Sequence, residues 1–455
     1  MPRVNDVLQH LDGDQKQAQK RLCDLLSIPS VSTDPTYSAN LRKAAHWIAD
    51  QLVEMGMNGV VHETAGHPVV MGQSDDIPDA PTVLYYGHYD VQPPDPIDAW
   101  TTPPFEPTIR NNAVYARGAS DDKGQVCCIL EAMRAWQQVH GKLPINVKII
   151  IEGEEEIGSA NLPAFIQEHK NELAADVVVI SDTTMWDDST VAITYGLRGL
   201  LYFDLKLHGP SRDLHSGMYG GILANPASLI TRVLGKLLDD NNHITIAGFY
   251  DDVLALTDDE RSRWVQLGFD QVQYLGDVGV NTPFGEAGFE TLERKWVRPS
   301  CDVNGLYGGY MGQGAKTVIP SFAGAKVSFR LAANQDPQKI ADQFHAWINS
   351  HDVGGCRWEI TEHGRANPVI VPIDSPHLAA ASCAIEKASG KPPVLVREGA
   401  TIPIVTDFKS ILGIDSLLVG FGLVDDCIHS PNEKFNLDCF RLGCRSHAVM
   451  LQQFA

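Results

Sequence analysis

The sequence predicts an α/β protein: a mainly parallel sheet flanked by helices and interrupted by an inserted α+β segment. Three observations carry that expectation. Short apolar runs without period-two alternation recur at TVLYYG, NVKIIIEG and DVVVISD, the pattern of strands buried on both faces of a parallel sheet. Helical periodicity lies between and around them. The texture also changes after Gly199 and returns after Pro376.

In chain order, residues 40–56 (NLRKAAHWIADQLVEMG) place Leu41, Ala44, Ala45, Ile48 and Leu52 on one face and stop at a glycine, which predicts an amphipathic helix. Val126, Ile129, Leu130 and Met133 predict another, with Cys127 and Cys128 packed inside it. LLYFDLKLHG alternates as a half-buried strand, and residues 209–315 are rich in glycine, proline and acidic loops. AKVSFRLAAN and CRWEITEHG are strands on either side of a helix near QKIADQFHAWINS. HLAAASCAIEKASG and SLLVGFG then resume the α/β pattern. The expected domains are 1–196 with 371–455, and an inserted 197–370.

At 455 residues the chain exceeds the size at which a single core usually keeps growing. The 36 basic and 57 acidic residues leave a formal charge of -21, which repels phosphate backbones and anionic lipid and so argues against nucleic-acid or membrane partners. Nine cysteines, an odd number without paired metal-site spacing, fit reduced thiols. The first residues show no basic stretch followed by an apolar core, and no run reaches the ~20 apolar residues of a membrane helix. A cytoplasmic protein is expected.

Polar groups follow the apolar strands in four places. LYYGHYD supplies His88 and Asp90, KIIIEGEEE supplies Glu152, Glu154, Glu155 and Glu156, VVVISD supplies Asp182, and the last strand leads to DDCIHS with His429. Ligands of open parallel sheets gather beyond the carboxyl ends of the strands, so these groups can converge from distant positions. Histidines and carboxylates without cysteine suit zinc, manganese, cobalt or a related divalent ion. Asp121, in RGASDDKGQ, is a further candidate ligand, although it could instead cap the helix that comes next; Asp122 competes with it on composition.

YGHYDVQP, GASDDKG, EGEEEIGS, ISD and CIHS, in this order, resemble the metal-ligand segments of the dinuclear metallopeptidase family that includes carnosine dipeptidases, aminoacylases, desuccinylases and glutamate carboxypeptidases. The resemblance implies a split catalytic domain, a lid and dimerisation role for the insertion, and two divalent ions per subunit, zinc first with manganese or cobalt as alternatives. It implies His88 and Asp182 on one metal, Glu156 and His429 on the other, and Asp121 on both. Glu155 would be the general base acting on a water shared by the metals, and Asp90 would orient His88. Glu154 has no implied role in the chemistry.

In the insertion, GPSRDLHSGMYGG resembles the segment whose histidine, here His215, serves the active site of a partner subunit, which implies a homodimer. GAKTVIP and KVSFRL resemble the dipeptidase branch, with Arg330 clamping a terminal carboxylate and Thr317 nearby. VREGATIP resembles a substrate loop and contributes Thr401, although its Ala400-Thr401 pair departs from the glycine-serine of many relatives. The activity implied is hydrolysis of dipeptides or short peptides with a free carboxyl end; the alternative is N-acyl amino acid deacylation.

Overall fold

A computed structural model describes residues 3–455. The described chain packs as two compact units, residues 3–195 with 371–396 and 407–455, and residues 196–370 with 397–406.

The first unit is built on a nine-stranded sheet. Its four central strands, Asn146–Glu152, Thr82–His88, Val177–Ile180 and Ser416–Val419, are neighbours in that order and mutually parallel. Asn58–His62 and Val69–Gln73 extend one side antiparallel, and Ala192–Leu197 pairs antiparallel on the other. The sequence expectation of a mainly parallel sheet with flanking helices therefore describes the observed centre. The runs are apolar on both faces because helices cover both: all four residues of Val177–Ile180 are buried.

Helix Ser38–Glu54 buries Leu41, Ala44, Ala45, Ile48 and Leu52, the face read from its periodicity, and Gly56 comes after it with φ 77°. Each fully buried Leu or Ile on such a face contributes about 1.5–3 kcal/mol. Helix Lys123–His140 is buried over most of its length, Cys127 and Cys128 included, and ends at Gly141 in the left-handed region. Helices Val4–Leu26, Pro376–Ser389 and Leu437–Gln453 complete the cover.

His447, fully buried on the last of these helices, packs edge-on against Tyr85 and Phe421. Burial pushes its imidazole down to about 3. The unfolded chain binds that proton near the ordinary histidine value, so between about pH 6.5 and the folded value stability falls as pH falls, by about 1.4 kcal/mol per pH unit from this residue. A His447→Gln variant should show a flatter acid limb in thermal midpoint against pH. An unchanged slope would mean that other groups set it.

The second unit carries a four-stranded antiparallel sheet in the order Ser300–Gly308, Phe322–Leu331, Gly199–His208, Arg357–Ala366. Gly199–His208 alternates strictly between buried and half-buried positions, as its sequence alternates. Helices Pro226–Leu234 and Pro337–Asn349 join its apolar face, with Leu201, Phe203, Leu205, Phe329 and Phe344 in one core.

Two expectations change here. The stretch 209–315, read as loops, holds the helices Pro226–Leu234, Asp258–Gln266, Gln271–Gly276 and Thr291–Trp296. At six to nine residues they are too short to display a period, but capping side chains fix three of their starts: Asn225, Thr257 and Asp270. Residues 397–406 pack with the second unit, where Arg397 pairs with Glu260 and Thr401 reaches Arg198. Among the described residues no helix is long and apolar enough to cross a membrane.

Candidate metal centre

Because the four central strands are parallel, their carboxyl ends share one edge of the sheet. His88 ends its strand, Asp182 lies two residues past another, and His429 sits in the loop after Ser416–Val419. Gly420 lets that loop pass closely: a Cβ there would lie 1.8 Å from the carbonyl oxygen of Thr183.

Asp121 stands at the middle. Its Oδ1 is 3.0 Å from His88 Nε2 and its Oδ2 is 2.9 Å from His429 Nε2. Asp182 Oδ2 lies 3.9 Å from His88 Nε2, and Glu156 Oε2 lies 3.2 Å from His429 Nε2. Two triads result, His88-Asp121-Asp182 and Asp121-Glu156-His429, each with its ligand atoms within 4.8 Å of one another. The neighbouring Asp122 behaves differently. It accepts from the backbone N–H of His88, is the residue before the helix, and makes no capping bond with its side chain.

The electrostatics favour positive charge between these groups. Burial opposes ionisation of Asp121, yet its hydrogen bonds to His429 and His88 hold its carboxyl well below the usual range. His429 rises to about 10 through Asp121 and Glu156. Asp182 is pushed well above the ordinary value by burial and by the charge of Asp121. Two imidazoles facing three buried or half-buried carboxylates form a hard, oxygen-rich and nitrogen-containing donor set, which fits divalent cations.

The glutamate cluster separates by geometry. A short turn, Glu155–Ile157, comes after the strand and points successive side chains apart. Glu152 accepts from the Tyr86 and Ser159 hydroxyls and is pushed up to about 8 by burial. Glu154 accepts from the His67 N–H and from Asn161 Nδ2, so it pins the loop containing Gly66, where a Cβ would collide with its carboxylate. Glu156 joins His429, and Gln92 Nε2 donates to it at 2.8 Å. Burial pushes the Glu155 carboxyl up to about 7, with Glu156, Asp121 and Asp90 acting in the same direction against His88.

Asp90 ties the two halves together. Its Oδ1 lies 3.3 Å from His88 Nδ1 and accepts from the Glu155 N–H, while Oδ2 accepts from the Glu156 N–H. The Asp90 carbonyl lies 3.1 Å from the same His88 nitrogen, so one residue holds the His88 ring and, through its carboxylate, the turn bearing both glutamates.

Three supporting residues are not singled out by any motif in the sequence. Glu433, fully buried, accepts from the backbone N–H groups of Gly118, Ser120 and Asp121 and from Arg117 Nη1. Asp426 accepts from Ser120 Oγ, the Leu423 N–H and Lys434 Nζ, holding the loop that carries His429. Gln92 lies inside the YGHYDVQP motif, which assigns it no role. Only the polar residues clustered at 425–434 could have signalled the first two.

In the second unit His215 pairs with Val318 on a two-stranded ladder, and Thr317, just before that strand, accepts from the Ser216 N–H through its carbonyl. His215 Nδ1 accepts from the Gly217 N–H, so the neutral ring carries its proton on Nε2. Arg330 Nη1 donates to Thr401 Oγ1 at 2.9 Å, and the Thr401 hydroxyl donates to the Arg198 carbonyl. No hydrogen bond among the described residues joins the first pair to the second.

Comparison with known proteins places the whole chain among peptidases. The chain is similar to the Beta-Ala-His dipeptidase of Homo sapiens, 32% identical over 99% of this chain and 93% of that protein. It is also similar to the Cys-Gly metallodipeptidase DUG1 of Saccharomyces cerevisiae, 31% identical over 99% and 98%. Among solved structures, human carnosine dipeptidase 1 superposes with a TM-score of 0.85 at 31% identity, covering 100% of this chain and 99% of that one. The M20 family metallo-carboxypeptidase Sso-CP2 from Sulfolobus solfataricus gives 0.86 at 32% identity, covering 96% and 99%. The profile of peptidase family M20/M25/M40 matches residues 84–453, a span that contains every residue of both triads. The chain therefore belongs to peptidase family M20/M25/M40, a family of metal-dependent hydrolases.

Proposed function

We propose that the protein hydrolyses the amide bond of dipeptides, or of short peptides with a free C-terminal carboxylate, using two divalent ions. The observation that carries this reading is Asp121, whose two oxygens face His88 and His429 separately; the names of the relatives supply the substrate class. His88 and Asp182 would hold one ion, Glu156 and His429 the other, with Asp121 shared; zinc fits the nitrogen-oxygen donor set, as do manganese and cobalt. Bound there, the ions would acidify water and stabilise negative charge on the reacting carbonyl.

The chain's own residues do the rest. Glu155 takes the proton from the attacking water and passes it to the departing amine. Asp90 keeps His88 in one tautomer and orientation. His215, with its proton on Nε2, donates to the carbonyl oxygen as charge develops, acting from a second copy of the chain in a homodimer. Arg330, supported by Thr401, takes the terminal carboxylate, with Thr317 beside His215 contacting the same substrate. The nine free cysteines suit a reducing compartment, and we place the protein in the cytoplasm.

The test is a side-by-side assay of dipeptides against N-acetyl and N-succinyl amino acids, with metal-loaded and chelated protein. Dipeptides should be cleaved faster, and only with metal. Preference for N-acyl substrates would replace this reading with deacylation.

Arg330→Ala should raise KM by about 10- to 100-fold for substrates with a free terminal carboxylate, the range expected when a charge-assisted pair is lost. Substrates amidated at that end should respond much less. Equal losses on both would remove Arg330 from the clamp.

A further inference from the structure

The second unit contains a cavity of about 310 Å³ whose lining the proposed reaction does not use. Four cations line it: Arg198, Arg294, Lys295 and Arg298. Two are committed. Arg298 forms a paired contact with Glu286, 2.7 Å from each of Nε and Nη2, and Lys295 lies 3.3 Å from Glu398.

The other two are not. Arg294 donates through Nε to the Glu286 carbonyl, and among the described residues neither of its Nη groups has a partner. Arg198 donates to the carbonyls of Gly399 and Arg298 and to Ser300 Oγ, and no carboxylate lies within ion-pair distance of it among the described residues. Half-buried guanidinium groups without a carboxylate are poorly compensated. The remaining acid on the wall, Asp302, is exposed to solvent, so two uncommitted cations face one screened anion. Leu238 and Ile244 supply apolar wall beside them.

The cavity adjoins Arg330. Ser300, which lines it, is the cross-strand partner of Arg330. Burial, and after it the charge of Arg330, pulls the Arg198 guanidinium down to about 10 against the weaker opposing charges of Glu398 and Asp302, so Arg198 and Arg330 sense one another.

We propose that this cavity receives the side chain of the substrate's C-terminal residue and selects an acidic one, aspartate or glutamate, through Arg294 and Arg198. This rests on the reading of Arg330 as the clamp for the terminal carboxylate. A side-chain carboxylate entering the cavity would neutralise the excess positive charge, and its methylene groups would cover the apolar wall. A neutral side chain of the same shape would leave both guanidinium groups without a carboxylate.

The test compares kcat/KM for Ala-Glu, Ala-Gln and Ala-Gly with metal-loaded protein, and measures binding of free glutamate and glutamine by calorimetry. Ala-Glu should exceed Ala-Gln by about tenfold or more, the discrimination a charge-assisted contact provides. Arg294→Gln should collapse that ratio towards one, and Arg294→Lys should restore part of it. Equal rates for Ala-Glu and Ala-Gln in the wild-type protein would overturn the proposal while leaving dipeptide hydrolysis standing. If none of the three dipeptides is cleaved, the hydrolytic reading fails by itself and calorimetry still decides the cavity. Tighter binding of glutamate than glutamine, lost in Arg294→Gln, supports an acid-binding cavity; equal binding overturns it.

Discussion

Replacing Glu155 with glutamine is expected to lower kcat by about 10²- to 10⁴-fold while the protein stays folded and binds metal normally, because a positioned general base contributes about that much. The substitution conserves volume, and the backbone N–H of residue 155 still reaches Asp90. Glu156 and His429, 3.2 Å apart, are untouched. Among the described residues no hydrogen-bond donor reaches the Glu155 side chain, so the change breaks no structural bond in the chain. Only the capacity to accept and return a proton is lost. Glu154→Gln is the informative control, since Glu154 holds Asn161 and the His67 backbone and should leave turnover largely intact. Metal content by mass spectrometry and kcat on a dipeptide would check both. Near-normal turnover in Glu155→Gln would remove that residue as the base.

How much of the site is legible in the sequence depends on the kind of contact involved. His88 and Asp182 are legible because the strands before them are buried on both faces, and parallel strands deliver the residues at their carboxyl ends to one edge. Asp121 and Asp122 cannot be separated by composition. The fold separates them, since Asp121 alone faces both histidines while Asp122 turns back towards the His88 backbone. Family resemblance orders the glutamates; in the fold Glu154 accepts from the His67 N–H and Asn161, whereas Glu156 lies 3.2 Å from His429. The short helices after residue 209 stay hidden because six to nine residues do not establish a period. Glu433 is least legible: its bond to the Ser120 N–H spans 313 residues, and no local pattern encodes such a contact.

Glu433 is nevertheless where the second large effect is expected. Its carboxylate receives the N–H groups of Gly118, Ser120 and Asp121 together with the Arg117 guanidinium, in a site where both side chains are 1% exposed. Burial pushes the carboxyl up to about 7, with Arg117 opposing. Removing it in Glu433→Ala would strand the buried Arg117 charge and release the N–H groups that fix residues 118–121. Breaking one side of a buried pair costs about 3–5 kcal/mol. Asp121 loses a restraint at its own backbone, so affinity for divalent metal should fall by about 10- to 100-fold, the usual effect of losing a group that orients a ligand. The two consequences are separable. A double variant, Arg117→Leu with Glu433→Leu, removes the stranded charge and should recover part of the thermal midpoint, yet it cannot restore the acceptor for the Asp121 loop and should leave metal affinity low. Recovery of both together would mean that the Glu433 effect on metal is only lost stability; loss of neither in Glu433→Ala would show that the loop is held by other contacts.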